Sequence, residues 1–206
     1  MIAVIDYGVG NLFSLCSSLE RIGASAVVTS DPEELRRADK LILPGVGAFA
    51  DAAEKLRQSG LDAVVREQAA QGKDIMGICL GMQLLFEKSY EFGEHAGLGL
   101  LKGSVIPMEG TIPADLKIPH IGWNALHFCG KSKLLRYIQE GDCVYFVHSF
   151  YATDCNDSVI ATAEYGKELT AAVQKGNIMG CQFHPEKSGQ VGLNILRAFC
   201  ETEEKA

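Results

Sequence analysis

Over the first half of the chain, short apolar runs alternate with amphipathic segments. "IAVID" (2–6) predicts a buried strand, followed by a Gly-rich turn and a helix from about Asn11 to Ile22. "SAVVT" (25–29) predicts a second strand. "DPEEL" opens a short helix, with Pro32 in its first turn and acidic residues at its positive end. "KLILP" (40–44) is a third strand, helical patterning runs from Ala48 to about Gln71, and "DIMGI" (74–78) is a fourth strand that leads into another helix. The second half reads differently. "GLLKGSVIPM", "PHIGWNALHF", "DCVYFVHSFYA", "SVIATAEYG", "LTAAVQKGN" and "IMGCQFH" are successive strand candidates broken by turn residues, before a last helix from about Ser188 to Cys200. Strands alternating with helices predict βαβ units. The expected fold is therefore α/β: an open, mostly parallel or mixed sheet with helices on both faces and an antiparallel extension in the second half.

Length and composition narrow the picture. The 206 residues predict one domain over 1–201 and a frayed polar tail over 202–206. The net charge of −7 speaks against nucleic acid or an anionic membrane as partner. Asp6 interrupts the first apolar run, no basic n-region precedes it, and no window approaches about 18 apolar residues, so a cytoplasmic protein is expected. The seven cysteines are odd in number and none form C-x-x-C, which argues against a disulfide framework and a zinc ribbon. No metal and no cofactor are expected, since a Walker-type loop and a dinucleotide glycine pattern are both missing.

Three Gly-rich turns fall at the carboxyl ends of predicted strands, where open α/β sheets bind ligands: "YGVGN", "PGVGAF" and "GICLG". The last sets Cys79 between Gly77 and Gly81, where a strand passes into a helix. Such a turn exposes a nucleophile, and the N–H of Leu80, the next residue, is a natural oxyanion donor. A tight turn around a buried thiol fits the same five residues. Of the five histidines, His184 stands out in "CQFHPEKSG". Pro185 biases His184 toward an extended backbone, which places Glu186 on the same face, able to orient the ring as in a triad. An ordinary strand end followed by a His-Pro turn has the same sequence, and spacing alone does not bring His184 to Cys79.

"GICLGMQ" with a downstream "FHPE" resembles the triad-type, class I glutamine amidotransferases, whose fold is flavodoxin-like and which hydrolyse glutamine through a cysteine thioester. The resemblance implies Cys79 as nucleophile, His184 as general base and acid, and Glu186 as its orienting group. It implies that "LPGVG" (43–47) is the second oxyanion loop, a backbone N–H of Val46 or Gly47 joining that of Leu80. It also implies Gln83, His148 and Ser149 in the glutamine pocket. "DYGVGNLFS" (6–14), "PHIGWN" (119–124), "YFVHS" (145–149) and "QFHPEKS" (182–188) resemble the glutaminase subunits of imidazole glycerol phosphate synthases. That resemblance implies a heterodimer in which ammonia passes to a (β/α)8 cyclase subunit of histidine biosynthesis. Asn11, Trp123, Asn124, Tyr145 and Lys187 would lie at the interface or channel.

Trp123 as a core aromatic, Lys187 as a solvated lysine and Tyr145 as a half-buried strand tyrosine are the plainer readings. Glutaminases of anthranilate, pyridoxal phosphate or guanylate synthesis are the enzymatic alternatives, against which "PHIGWN" speaks. A catalytically silent binding module and a flavodoxin-like cofactor binder are the others. Three residues depart from the family pattern: Asp74, where proline is usual, Phe13, where arginine is frequent, and Ala125, where a basic residue is common. None belongs to the implied triad, and the last two are expected to bear on the partner interface.

Overall fold

A computed structural model describes residues 1–201; the predicted tail at 202–206 lies outside them. The first half runs β1 (Ile2–Ile5), α1 (Leu12–Arg21), β2 (Ala26–Thr29), α2 (Pro32–Arg37), β3 (Lys40–Leu43), α3 (Phe49–Gln58), α4 (Leu61–Ala70), β4 (Asp74–Ile78) and α5 (Leu80–Leu84). There follow β5 (Phe86–Ser89), β6 (His95–Ala96), β7 (Leu101–Pro107), β8 (His120–Ala125), β9 (His127–Phe128), β10 (Cys143–His148), β11 (Phe150–Thr153), β12 (Val159–Glu164), β13 (Glu168–Lys175), β14 (Ile178–Cys181) and α6 (Gly189–Cys200).

Eight strands form the central sheet in the order β2-β1-β3-β4-β14-β13-β12-β9. The five from β2 to β14 are parallel, and β13, β12 and β9 extend them antiparallel. Alternate strand residues face opposite sides, as a pleated strand requires. Ala3, Ile5, Leu41, Leu43 and Ile75 pack with Leu35, Phe49, Leu56 and Val65 of α2, α3 and α4. Ile2, Val4, Ile42 and Met76 pack on the other face with Leu15 and Leu19 of α1 and Leu196 and Phe199 of α6. A four-stranded sheet, β11-β7-β5-β6, and a two-stranded ribbon, β10-β8, complete the second half.

Several elements differ from the sequence reading. The helical stretch 48–71 is two helices, because Gly60 adopts φ +72° and turns the chain between them. The helix after Cys79 stops at Leu84: its last carbonyls accept from Leu98 and Leu100, so the returning chain takes the place of another helical turn. β5 and β6 were not anticipated. Two predicted strands each divide between sheets: "PHIGWNALHF" into β8 and β9, and "DCVYFVHSFYA" into β10, which pairs β8, and β11, which pairs β7. The exchange in the second case occurs at Ser149, whose carbonyl accepts from Met108 N.

The unusual Asp74 has a structural role at the opposite end of β4 from Cys79. Its carboxylate meets Lys133 at 2.7 Å and the buried Lys40 at 3.3 Å. Lys40 Nζ also donates to the Phe199 and Glu201 carbonyls, closing the C-terminus of α6. Asp74 thus supplies the counter-charge for an ammonium drawn into the core.

Candidate functional site

Cys79 sits at the junction of β4 and α5 with φ +55° and ψ −113°, a conformation that costs an L-residue energy and is held by its surroundings. Its N–H donates to Cys181 O at 2.8 Å, and its carbonyl accepts from Gln83 N at 3.2 Å. The flanking glycines follow from backbone crowding. A Cβ on Gly77 would lie 2.6 Å from Gly81 O, and one on Gly81 would lie 1.8 Å from Leu43 O. One on Gly45 would lie 2.7 Å from Gly81 N, so the "PGVG" loop and the Cys79 turn touch main chain to main chain. Tyr7, at the start of the first Gly-rich turn, donates its hydroxyl to Pro44 O at 2.7 Å and pins that loop. Burial, reinforced by the nearby Cys79, holds the Tyr7 hydroxyl well above its ordinary pKa.

His184 leaves β14 with an extended backbone, its N–H on Tyr145 O at 2.9 Å. Its Nδ1 lies 2.8 Å from Glu186 Oε1, with both side chains almost wholly buried. The expected neighbours therefore meet, but by a different route: Pro185–Lys187 form a 3-10 turn, not an extended chain, and the turn swings Glu186 back onto the ring. Burial pulls the imidazole pKa down, but the hydrogen bonds and charges of Cys79 and Glu186 outweigh it and raise it to about 9. Among the described residues, Glu186 Oε2 is the buried side-chain polar atom left without a partner.

A cleft of about 330 Å³ opens on this group. Cys79, His184, Val46, Gly47, Leu80, Gln83, His148 and Ser149 all line it, together with Glu91 and Phe150. Gln83 is turned partly inward: its Nε2 donates to Phe150 O at 3.1 Å and Gln182 Oε1 at 3.0 Å, leaving its Oε1 for a ligand. His148 likewise points its ring nitrogens at protein, Nδ1 to Phe150 O at 2.8 Å and Nε2 to His120 Nδ1 at 3.1 Å. Burial lowers its pKa to about 3, so His148 is neutral and donates from Nδ1.

The residues expected at a partner surface divide into two groups. Trp123 is 55% exposed and meets Tyr145 edge-on at 6.0 Å, and Lys187 Nζ lies 5.9 Å from the Tyr145 ring. Those three form one cluster where the ribbon meets the Pro185–Lys187 turn. Asn124 is used internally: Nδ2 donates to Glu164 O at 3.0 Å, and Oδ1 faces His120 Nε2 at 2.7 Å. Asn11 precedes α1 and makes no capping bond with its side chain. Phe13, in the first turn of that helix, is 84% exposed, as is Ile121 at 58% on β8.

The Glutamine amidotransferase class-I family matches residues 3–202. The chain belongs to it. Curated relatives named imidazole glycerol phosphate synthase subunit HisH match over nearly the whole length. That of Wolinella succinogenes is 50% identical, covering 98% of this chain and 99% of its own. That of Lactococcus lactis is 51% identical, covering 97% and 98%. That of Aquifex aeolicus is 48% identical, covering 98% and 97%. Among solved structures, a glutamine amidotransferase aligns with TM-score 0.76 at 21% identity, covering 97% of each chain. PurLQS from Thermotoga maritima aligns at 0.73 and 23%, covering 96% of each, and these two share the fold.

For a glutamine amidotransferase, two polar residues of the site carry no role in the sequence reading, one lining the cleft and one buried against Cys79. Glu91 carries the carboxylate that lines the cleft; its Oε2 accepts from Phe49 N at 2.6 Å, and burial raises its pKa against that bond. It lies in a turn after β5 and had no local signal. Gln182, wholly buried, donates from Nε2 to Cys79 Sγ at 3.8 Å. Its signal was present: it stands two residues before His184 in an extended segment, hence on the same face. Among the described residues no helix is long and apolar enough to cross a membrane.

Proposed function

We propose that this chain is the glutaminase subunit of an imidazole glycerol phosphate synthase, hydrolysing glutamine in the cleft at Cys79 and passing ammonia to a cyclase subunit. The observation that carries the chemistry is His184 held between Cys79 and Glu186 and lining that cleft with Cys79. The full-length identity of about half with HisH subunits supports the pathway.

In this reading the Cys79 thiolate attacks the amide carbon of glutamine, and the resulting oxyanion is received by the Leu80 N–H and one from Val46 or Gly47. Each such donor lowers the barrier by about 3 kcal/mol. Imidazolium His184 protonates the leaving ammonia, and the bond from carbon to nitrogen breaks to leave a thioester. His184, now neutral, takes a proton from water as hydroxide adds to the thioester carbon. Collapse of that second intermediate releases glutamate and restores the thiolate. Glu186 keeps Nδ1–H occupied, so that the other ring nitrogen serves the reaction. Glu91 suits the α-ammonium of glutamine, and Gln83 Oε1 and Ser149 offer further polar contacts.

In this reading Trp123, Tyr145 and Lys187 belong to the cyclase contact, supported by an exposed aromatic beside a cation, which makes a good anchor. Activity is low alone and rises on association, because free hydrolysis would release ammonia to no purpose. Glutamate release is measured with the purified chain alone, with its cyclase, and with cyclase plus ribotide ligand, using Cys79→Ser as control. Activation that vanishes in the variant supports the reading. Full activity alone removes the gating, and inactivity in every condition removes the assignment.

A further inference from the structure

The cleft's chemistry leaves one buried polar group unexplained. Gln182 follows β14 with no exposed surface, its side chain meeting Gln83 and Cys79. A primary amide is costly to bury unless both its ends are bonded. Its backbone is secured elsewhere, through N–H to Ala171 O at 2.8 Å, so the side chain is not there to hold the strand.

The direction of its hydrogen bonds is set by an acceptor that cannot reverse. Phe150 O is a carbonyl, so Gln83 must present Nε2 to it, at 3.1 Å. The same Nε2 donates its second hydrogen to Gln182 Oε1 at 3.0 Å. That bond leaves the Gln182 Nε2 hydrogens facing Cys79 Sγ at 3.8 Å. Flipping the Gln182 amide would set two NH2 groups against each other and aim a carbonyl oxygen at the sulfur. The chain of donors therefore runs one way and ends on the reacting atom.

We propose that Gln182 is a further catalytic residue, a fixed amide donor that holds the Cys79 sulfur in its attacking direction. This deepens the glutaminase reading and rests on it. A thiolate accepts such a bond strongly, and a thiol or thioester sulfur accepts it weakly. The donor therefore acts when the thiolate is poised for attack and again when sulfur leaves the second intermediate. With His184 also hydrogen-bonded to it, the sulfur is met by two donors, and Gln182 is the one that neither gives nor takes a proton.

The test separates this role from packing. In Gln182→Met the length is kept and the donor lost; in Gln182→Glu the acceptor for Gln83 is kept and an oxygen faces the sulfur. Carboxamidomethylation of Cys79 by iodoacetamide at neutral pH is followed by peptide mass spectrometry, with the exposed Cys143 as internal clock. The Met variant should lose about tenfold in Cys79 alkylation rate and in kcat, with the Cys143 rate unchanged. The Glu variant should lose more. A folded Met variant that alkylates and turns over as wild type overturns the proposal, as does a change confined to KM. If the Met variant does not fold, wild-type alkylation in the Glu variant overturns it equally. Alkylation needs no glutamine turnover, so a chain without glutaminase activity would fail the functional reading while still deciding the role of Gln182.

Discussion

Gly81→Ala tests whether the Cys79 turn and the "PGVG" loop touch as closely as described. The added methyl would lie 1.8 Å from Leu43 O and 3.1 Å from Pro44 C. Ordinary contact begins near 3.5 Å, so the two segments must part by roughly 1.5 Å. They cannot part freely, because β3 and β4 are paired up to Leu43 and Gly77, immediately before the turns. Overpacking of this kind costs about 3 kcal/mol. At about 2–4 °C per kcal/mol for a chain this long, Tm should fall by about 6–12 °C. The catalytic loss should be larger in proportion: the opening separates the proposed donors of Leu80 from those of Val46 and Gly47, and about 1 Å of misplacement costs about 100-fold. Thermal melts and glutamate release with the cyclase present measure both effects. Gly130→Ala is the control, since a Cβ there meets nothing within 4 Å and should change neither. Wild-type Tm and kcat in Gly81→Ala would refute the backbone-contact account of the glycines.

Four further outcomes are expected. By NMR titration, His184 changes protonation near pH 9 in the wild type, and in Cys79→Ala its midpoint drops, because the sulfur's hydrogen bond and charge go while burial remains. As its folded pKa is raised, the stabilisation of its charged form is complete below the unfolded value of about 6.5 and is lost as pH rises through about 9; an unchanged midpoint in the variant would contradict the contact. Asp74→Asn should destabilise by about 2 kcal/mol in urea at neutral pH, less than a fully buried pair because Asp74 is partly exposed, and leave kcat alone; a loss under about 0.5 kcal/mol would remove its role. Glu91→Gln, which keeps an acceptor for Phe49 N, should raise KM for glutamine about tenfold with kcat nearly constant, and an equal fall in kcat would move Glu91 from binding to chemistry. Trp123→Ala should weaken the cyclase complex by about 2 kcal/mol without lowering Tm, as read by titration calorimetry; undiminished affinity would place the interface elsewhere.

What was legible in the sequence depended on how local its cause was. β1, β3 and β4 could be read because strands covered on both faces are nearly unbroken apolar runs, whereas β5 and β6 carry charged or polar residues and owe their place to pairing, β5 with β7 and β6 with β5. The runs at 119–128 and 142–152 looked like single strands because period-2 patterning says which residues share a face but not which sheet receives them. Asp74 read as an unexplained departure because its reason, Lys40 and Lys133, lies far off in sequence. Glu91 was invisible for the same reason, since only tertiary folding brings its turn to the cleft.

The cysteine between two glycines marks the limit most clearly. The spacing Gly77-x-Cys79-x-Gly81 already implied a sharp turn with main chain close by, because no other residue type leaves that room. It could not say whose main chain. The answer has two parts: Gly77 faces the first turn of its own helix, while Gly81 faces the end of β3 and the loop that carries Val46 and Gly47. One glycine therefore shapes the elbow, and the other lets a second loop reach it. If both loops supply oxyanion donors, the distance between the donors is set by a backbone contact with no side chain in it. Such a contact cannot be tuned by small side-chain changes, only kept or lost, which is why a single methyl at Gly81 is expected to cost about as much rate as the loss of one donor.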